Sequence, residues 1–205
     1  MASIAGYPSI GIDLNPVMKI IANAKQATPQ DIEGLDINDT FLSSQMAFQN
    51  IAPDPLNIWF SGAAVNIIRK IETSILENIK KKTITQTANS LSTQKCLLYT
   101  ALFKTLRHYL KPFIPSNPTW IKKPKNDLDR LKIQPEHIKL MYLETLNEIY
   151  NSLKEKNKNW PYKASELIVG SSLNIPLEKN SVDFTLTSPP YCTRIDYGIA
   201  TLPEL

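Results

Sequence analysis

Thr187-Ser188-Pro189-Pro190-Tyr191 is the stretch of this sequence richest in groups suited to chemistry. An exocyclic amino group on a nucleobase is a poor nucleophile, because its lone pair is delocalised into the ring. A site that modifies such a group must turn the lone pair toward an electrophile. Two acceptors gripping the two N–H bonds achieve this. Ser188 Oγ is one candidate acceptor. The backbone carbonyl of Pro189 is the other, since proline keeps its acceptor while losing its donor. The second proline, Pro190, stiffens the loop and fixes the direction of that carbonyl. Tyr191 offers a flat face on which an extruded base stacks, worth about 1–3 kcal/mol per base. The same five residues also suit a rigid turn that ends a strand and carries an aromatic anchor.

The elements that must position this loop are legible in the spacing of apolar residues. Val182-Asp183-Phe184-Thr185-Leu186-Thr187 is β-branched and aromatic and stops at the two prolines, so a strand is predicted there. Glu166 to Gly170 is a continuous apolar run of the kind found in buried parallel strands. Ser9 to Leu14 alternates apolar with small or polar residues and leads straight into Asn15-Pro16, a helix cap followed by a residue suited to the first helical position. Val17, Ile20, Ile21 and Ala24 then fall at helical spacing. A strand, an acidic residue and a capped helix form a βα unit of a doubly wound sheet, and such sheets place ligands at the carboxyl ends of their strands. Met1 to Tyr7 is expected to be the end of a helix.

The middle of the chain reads differently. Helical stripes are predicted from Ala64 to Ile79 (Ile67, Ile68, Ile71, Ile75), from Gln94 to Leu110 (Leu97, Leu98, Ala101, Leu102, Leu106) and onward from Pro135 (Ile138, Met141, Tyr142, Thr145, Leu146, Ile149, Tyr150, Leu153). These are core-packing stripes. Pro112 to Asn126, rich in Pro and Lys, is expected to be a loop. The fold class expected is therefore α/β, a partial Rossmann-like sheet built from residues 1–37 and 161–205, interrupted by a large helical and basic insertion at 38–160.

Charge supports that division. The net charge is +4, yet residues 66–158 hold 18 Lys and Arg against 8 Asp and Glu, while the remainder holds 5 against 11. A basic middle suits a polyanionic partner, and it equally suits solvated helix faces. Hydrophobic content of 42% and charged content of 20% fit a globular chain. No apolar run reaches the roughly 20 residues that span a bilayer, and Met1 to Pro8 lacks the pattern of a secretion signal. Cys96 and Cys192 form no spacing motif and His108 and His137 lie far apart, so free thiols, a cytoplasmic location and no metal are expected.

On these residues the chain resembles the S-adenosylmethionine-dependent amino-methyltransferases that modify cytosine N4 or adenine N6 in DNA. Ser188-Pro189-Pro190-Tyr191 matches their target-base motif in the serine form most often linked to cytosine N4. Gly11-Ile12-Asp13-Leu14-Asn15-Pro16 is similar to their second cofactor motif, which implies that Asp13 accepts hydrogen bonds from the ribose hydroxyls, with Asn15 beside it. Gly170-Ser171-Ser172 occupies the place of their third motif, where Ser171 stands instead of the usual Asp beside the cofactor adenine. Leu186 to Tyr197 and Ser116 to Trp120 resemble one prokaryotic subgroup. The resemblance implies S-adenosylmethionine as cofactor, double-stranded DNA with a flipped base as partner, and direct methyl transfer without a metal.

The family's glycine-bearing cofactor loop, Phe-x-Gly-x-Gly in type, is expected shortly before Gly11, and no such pattern occurs in the chain. The sequence thus reads as an internal fragment, with weak or absent cofactor binding in isolation and room for a complementary chain carrying that loop. Beside the target motif, Arg194 is a candidate for a DNA phosphate, with Asp196 orienting it; a local surface ion pair is the plainer reading. Trp120 with Lys122, Lys123 and Lys125 suits a basic, stacking loop on nucleic acid, and equally a solvated linker. Lys80-Lys81-Lys82 closes a helix, where cations suit the dipole. Two other readings stay open: a methyltransferase acting on RNA bases, and a non-catalytic remnant or subunit that binds nucleic acid.

Overall fold

The computed structural model describes residues 2–33, 54–76, 84–116, 121–155, 163, 165–187 and 203. Over these residues the fold is mixed α and β and mostly helical. Its elements are β1 (Ser9–Asp13), α1 (Pro16–Lys25), α2 (Gly62–Ile75), α3 (Ile84–Ser90), α4 (Thr93–Tyr109), α5 (Pro135–Lys154) and β2 (Ser165–Val169), with short 3-10 turns between them. No helix among the described residues is long and apolar enough to cross a membrane.

Helix α4 is the centre of the core. Nine of its residues are buried, on more than one face: Cys96, Leu97, Leu98, Tyr99, Ala101, Leu102, Phe103, Thr105 and Leu106. A helix apolar on several faces must be surrounded. Here α1, α2 and α5 pack against it. Helix α2 contributes Ala64, Val65, Ile68, Ile71 and Ile75, and α5 contributes Ile138, Tyr142, Thr145, Leu146 and Leu153. The predicted stripes are present, with Ile67, Met141, Ile149 and Tyr150 only partly buried at their margins. Helix α1 joins the same core through Val17, Ile20 and Ala24. Its cap is as the sequence implies, with Asn15 Oδ1 accepting the Val17 amide at 3.0 Å.

The strands pair in parallel, Ser9 opposite Ser165 and Asp13 opposite Val169. Both therefore end at the same edge. A Cβ at Gly11 would lie 2.9 Å from Cδ2 of its cross-strand partner Leu167, a contact that a shift of the leucine side chain would relieve. Gln26, at the end of α1, acts as a surrogate strand neighbour. Its side-chain amide donates to the Ser165 carbonyl at 3.1 Å and its carbonyl accepts the Ser165 amide. Ahead of β1, the Tyr7 amide donates to the Ala2 carbonyl at 3.0 Å and the Gly6 amide to Ser3 at 3.1 Å, with Gly6 at φ 80°. This is the hydrogen-bonding pattern with which a helix closes, and the positive φ is why a glycine stands there.

One expectation is corrected. Val182 to Thr187 forms no strand; all six residues are exposed, Phe184 at 79% and Leu186 at 88%. Strand propensity reflects fit to a pleated, half-buried surface. No ladder reaches this segment among the described residues, so its composition has nothing to act on.

Candidate functional site

The parallel register brings the ribose-motif and third-motif candidates together. Gly170 donates its amide to the Asp13 carbonyl at 3.0 Å, so Ser171 emerges directly beside the end of β1. Asp13 is exposed at this edge, and its Oδ1 accepts the Asn15 amide at 2.8 Å. That bond is a short Asx turn, and it explains why Asp, Asn and Pro follow the strand in that order: Asp13 makes the turn, Asn15 caps α1, and Pro16 starts it. Ser171 makes an equivalent turn after β2, its Oγ accepting the Leu173 amide at 3.2 Å. The carboxyl ends of the two strands thus bring Asp13, Ser171 and the N-terminal end of α1 to one edge.

Ser188, Pro189, Pro190, Tyr191, Cys192, Arg194 and Asp196 lie outside the described residues, as does Trp120. Lys122 and Lys123 are described, and both side chains are exposed. Their backbone is firmly held. Lys122 donates its amide to the Phe113 carbonyl at 2.8 Å, and its own carbonyl accepts the indole N–H of Trp59 at 2.8 Å. Ile121, the residue before it, is buried.

Trp59, the donor to the Lys122 carbonyl, lies outside every motif read from the sequence. It follows the 3-10 turn Pro55–Ile58 and is fully buried with Phe60. Asp54 caps that turn by accepting the Leu56 amide at 2.9 Å, and its carboxylate takes two bonds from Arg69, at 2.7 Å from Nε and 2.9 Å from Nη2. Arg69 also reaches Glu72 at 2.7 Å, and Tyr99 donates to the other Glu72 oxygen at 3.1 Å. Burial raises the Asp54 carboxyl, but the Arg69 hydrogen bonds, the Leu56 amide and the Arg69 charge outweigh it and hold the group below its ordinary value. The Asp-Pro pair at 54–55 was the available signal, a cap followed by a first-turn proline.

Two other features belong to the core. Cys96 is buried and free, and burial pushes its thiol up to about 11 against the hydrogen bond of Asn23 and the charge of Lys19. A shallow notch lined by Ile32, Gln94, Leu97, Leu98, Leu146 and Tyr150 contains none of the candidate site residues.

Comparison of the chain with known protein families, with curated proteins and with solved structures returns no match.

Proposed function

We propose that this chain forms the ribose-binding and target-base parts of an S-adenosylmethionine-dependent DNA amino-methyltransferase acting on cytosine N4 or adenine N6, within a Rossmann-like sheet. The observation that carries the reading is the juxtaposition of Asp13 and Ser171 at the carboxyl edge of a parallel pair. Doubly wound sheets use that edge for nucleotide-like ligands. An exposed carboxylate there suits a ribose diol, because it is an acceptor facing two hydroxyl donors.

The cofactor, when bound, supplies an electrophilic methyl group. Asp13 holds the ribose, Asn15 fixes the Asp13 turn, and Ser171 stands beside the adenine. Ser188 Oγ and the Pro189 carbonyl accept the two amino hydrogens of the flipped base, Pro190 stiffens the loop, and Tyr191 stacks on the ring. Arg194, Trp120, Lys122 and Lys123 contact the DNA.

The test is transfer of labelled methyl groups to double-stranded DNA and to RNA in competition, by the chain together with a polypeptide carrying a strand and glycine loop. Tyr191→Ala is expected to reduce transfer far more than cofactor affinity. Equal losses in both argue against stacking. Label in RNA instead of DNA supports the RNA reading. Salt-sensitive DNA binding without any transfer reduces the chain to a nucleic-acid-binding subunit.

A further inference from the structure

The segment from Lys111 to Lys132 holds six Lys and Arg against two Asp, a surplus of four, as large as that of the whole chain. Lys111, Lys122, Lys123, Lys125 and Lys132 are all exposed. Arg130 is bonded to Asp127 at 2.7 Å, but none of the five lysines pairs with a carboxylate among the described residues. Five ammonium groups crowded on one short segment repel one another. A solvated linker relieves that repulsion by spreading out. This segment is instead drawn in at both ends and in the middle. The Leu131 amide donates to the Trp59 carbonyl at 2.8 Å, and the Ser61 amide donates to the Leu131 carbonyl at 2.9 Å. The Phe113 carbonyl and the Trp59 indole hold Lys122 between them, and Phe60 bridges to Leu131 in parallel. The backbone that carries these like charges is therefore fixed at Lys122 and Leu131 instead of being spread by their repulsion.

We propose that this basic shoulder, Lys111, Lys122, Lys123, Lys125 and Lys132, is the docking surface for the phosphate backbone of duplex DNA, with Trp59 as the residue that positions it. The choice of DNA as the polyanion rests on the methyltransferase reading; the shoulder itself does not. Phosphate contact, not base reading, is the chemistry offered: the five groups are point charges on flexible stems, which neutralise phosphates without reporting sequence.

Binding of the full chain to a short fluorescein-labelled DNA duplex, followed by anisotropy between about 50 and 200 mM salt, tests this. The combined variant Lys122→Gln, Lys125→Gln, Lys132→Gln is compared with an equally charged control, Lys70→Gln, Lys163→Gln, Lys179→Gln. The shoulder variant is expected to bind at least about tenfold more weakly and to flatten the slope of log affinity against log salt by about 0.9 for each phosphate no longer neutralised. The control keeps the wild-type slope. Trp59→Phe retains an aromatic ring but not the N–H; it is expected to weaken binding severalfold while urea unfolding stays cooperative. Equal losses in shoulder and control variants, or a wild-type slope in the shoulder variant, overturn the proposal. If the shoulder variant binds like the wild type and transfers methyl groups when the glycine-loop polypeptide is supplied, the shoulder falls and the methyltransferase reading stands. If the wild-type chain binds an acidic polypeptide but no duplex, both fall.

Discussion

Gly170 donates its amide to the carbonyl of Asp13, tying together the ends of two strands whose first residues, Ser9 and Ser165, stand 156 positions apart in sequence. Everything proposed for cofactor binding depends on that closure, because it brings Ser171 to the edge where β1 ends at Asp13. Asp13→Ala is expected to cost cofactor affinity about tenfold or more, the value of a hydrogen bond to a charged group, when a polypeptide carrying the glycine loop is added to the chain. Calorimetric titration with S-adenosylmethionine checks it, and unchanged affinity removes Asp13 from the ribose site.

Asn15→Ala should act on stability instead. Its Oδ1 caps α1 through the Val17 amide, so the loss is expected to be about 1 kcal/mol in urea unfolding.

The Asp54–Arg69 pair carries a larger cost. The two side chains are 7% and 17% exposed. Arg69→Met leaves a mostly buried carboxylate without its partner, and the expected loss is about 2–3 kcal/mol, below the range for fully buried pairs. A loss near zero in urea unfolding would show that water replaces the guanidinium.

The same pair sets an acid dependence. The Asp54 carboxyl is held below its ordinary value in the folded chain, so its contribution is fully present above the unfolded value of about 3.9 and is lost as pH falls through the lowered one. Stability measured from pH 6 down to pH 2 should fall more steeply in the wild type than in Asp54→Asn. Parallel curves would contradict the assignment.

Cys96 should be slow to alkylate. With its thiol pushed up to about 11 and buried, almost no thiolate is present at neutral pH. In a Cys192→Ser background, Cys96 is expected to react with iodoacetamide far faster in urea than in buffer. Comparable rates in the two conditions would place the thiol at the surface.

Most helices were legible because their burial is periodic: Ile68, Ile71 and Ile75 can meet a core only on a helix. The β1–α1 unit was legible because Asp13, Asn15 and Pro16 have one local use each. Helix α3 was not. Its Ile-Thr-Gln-Thr-Ala-Asn-Ser sequence has no stripe, and it is held by tertiary contact, with Ala88 buried and Asn89 accepting from Lys19 at 2.7 Å. Trp59 escaped notice for the same reason: its partner, the Lys122 carbonyl, is a backbone group 63 positions away that no side-chain pattern announces. Val182 to Thr187 forms no strand despite its β-branched composition, which says that a segment fits a sheet, not that a neighbouring strand is there.

The distance between the two strands also orders the folding of the chain. Closing an unstructured loop of that length costs about 4–5 kcal/mol of chain entropy, which the few hydrogen bonds of a two-stranded sheet repay poorly. The helices between them form from nearer contacts, and once α1 rests on α4 the gap left to close is short. The sheet therefore assembles last and opens first. In native-state hydrogen exchange the amides of Ser9–Asp13 should be released at lower free energy than those of α4. The edge that carries Asp13 and Ser171 is thus less stable than the helical core around α4, and a ligand seated there would tighten the fold by the free energy of its own binding.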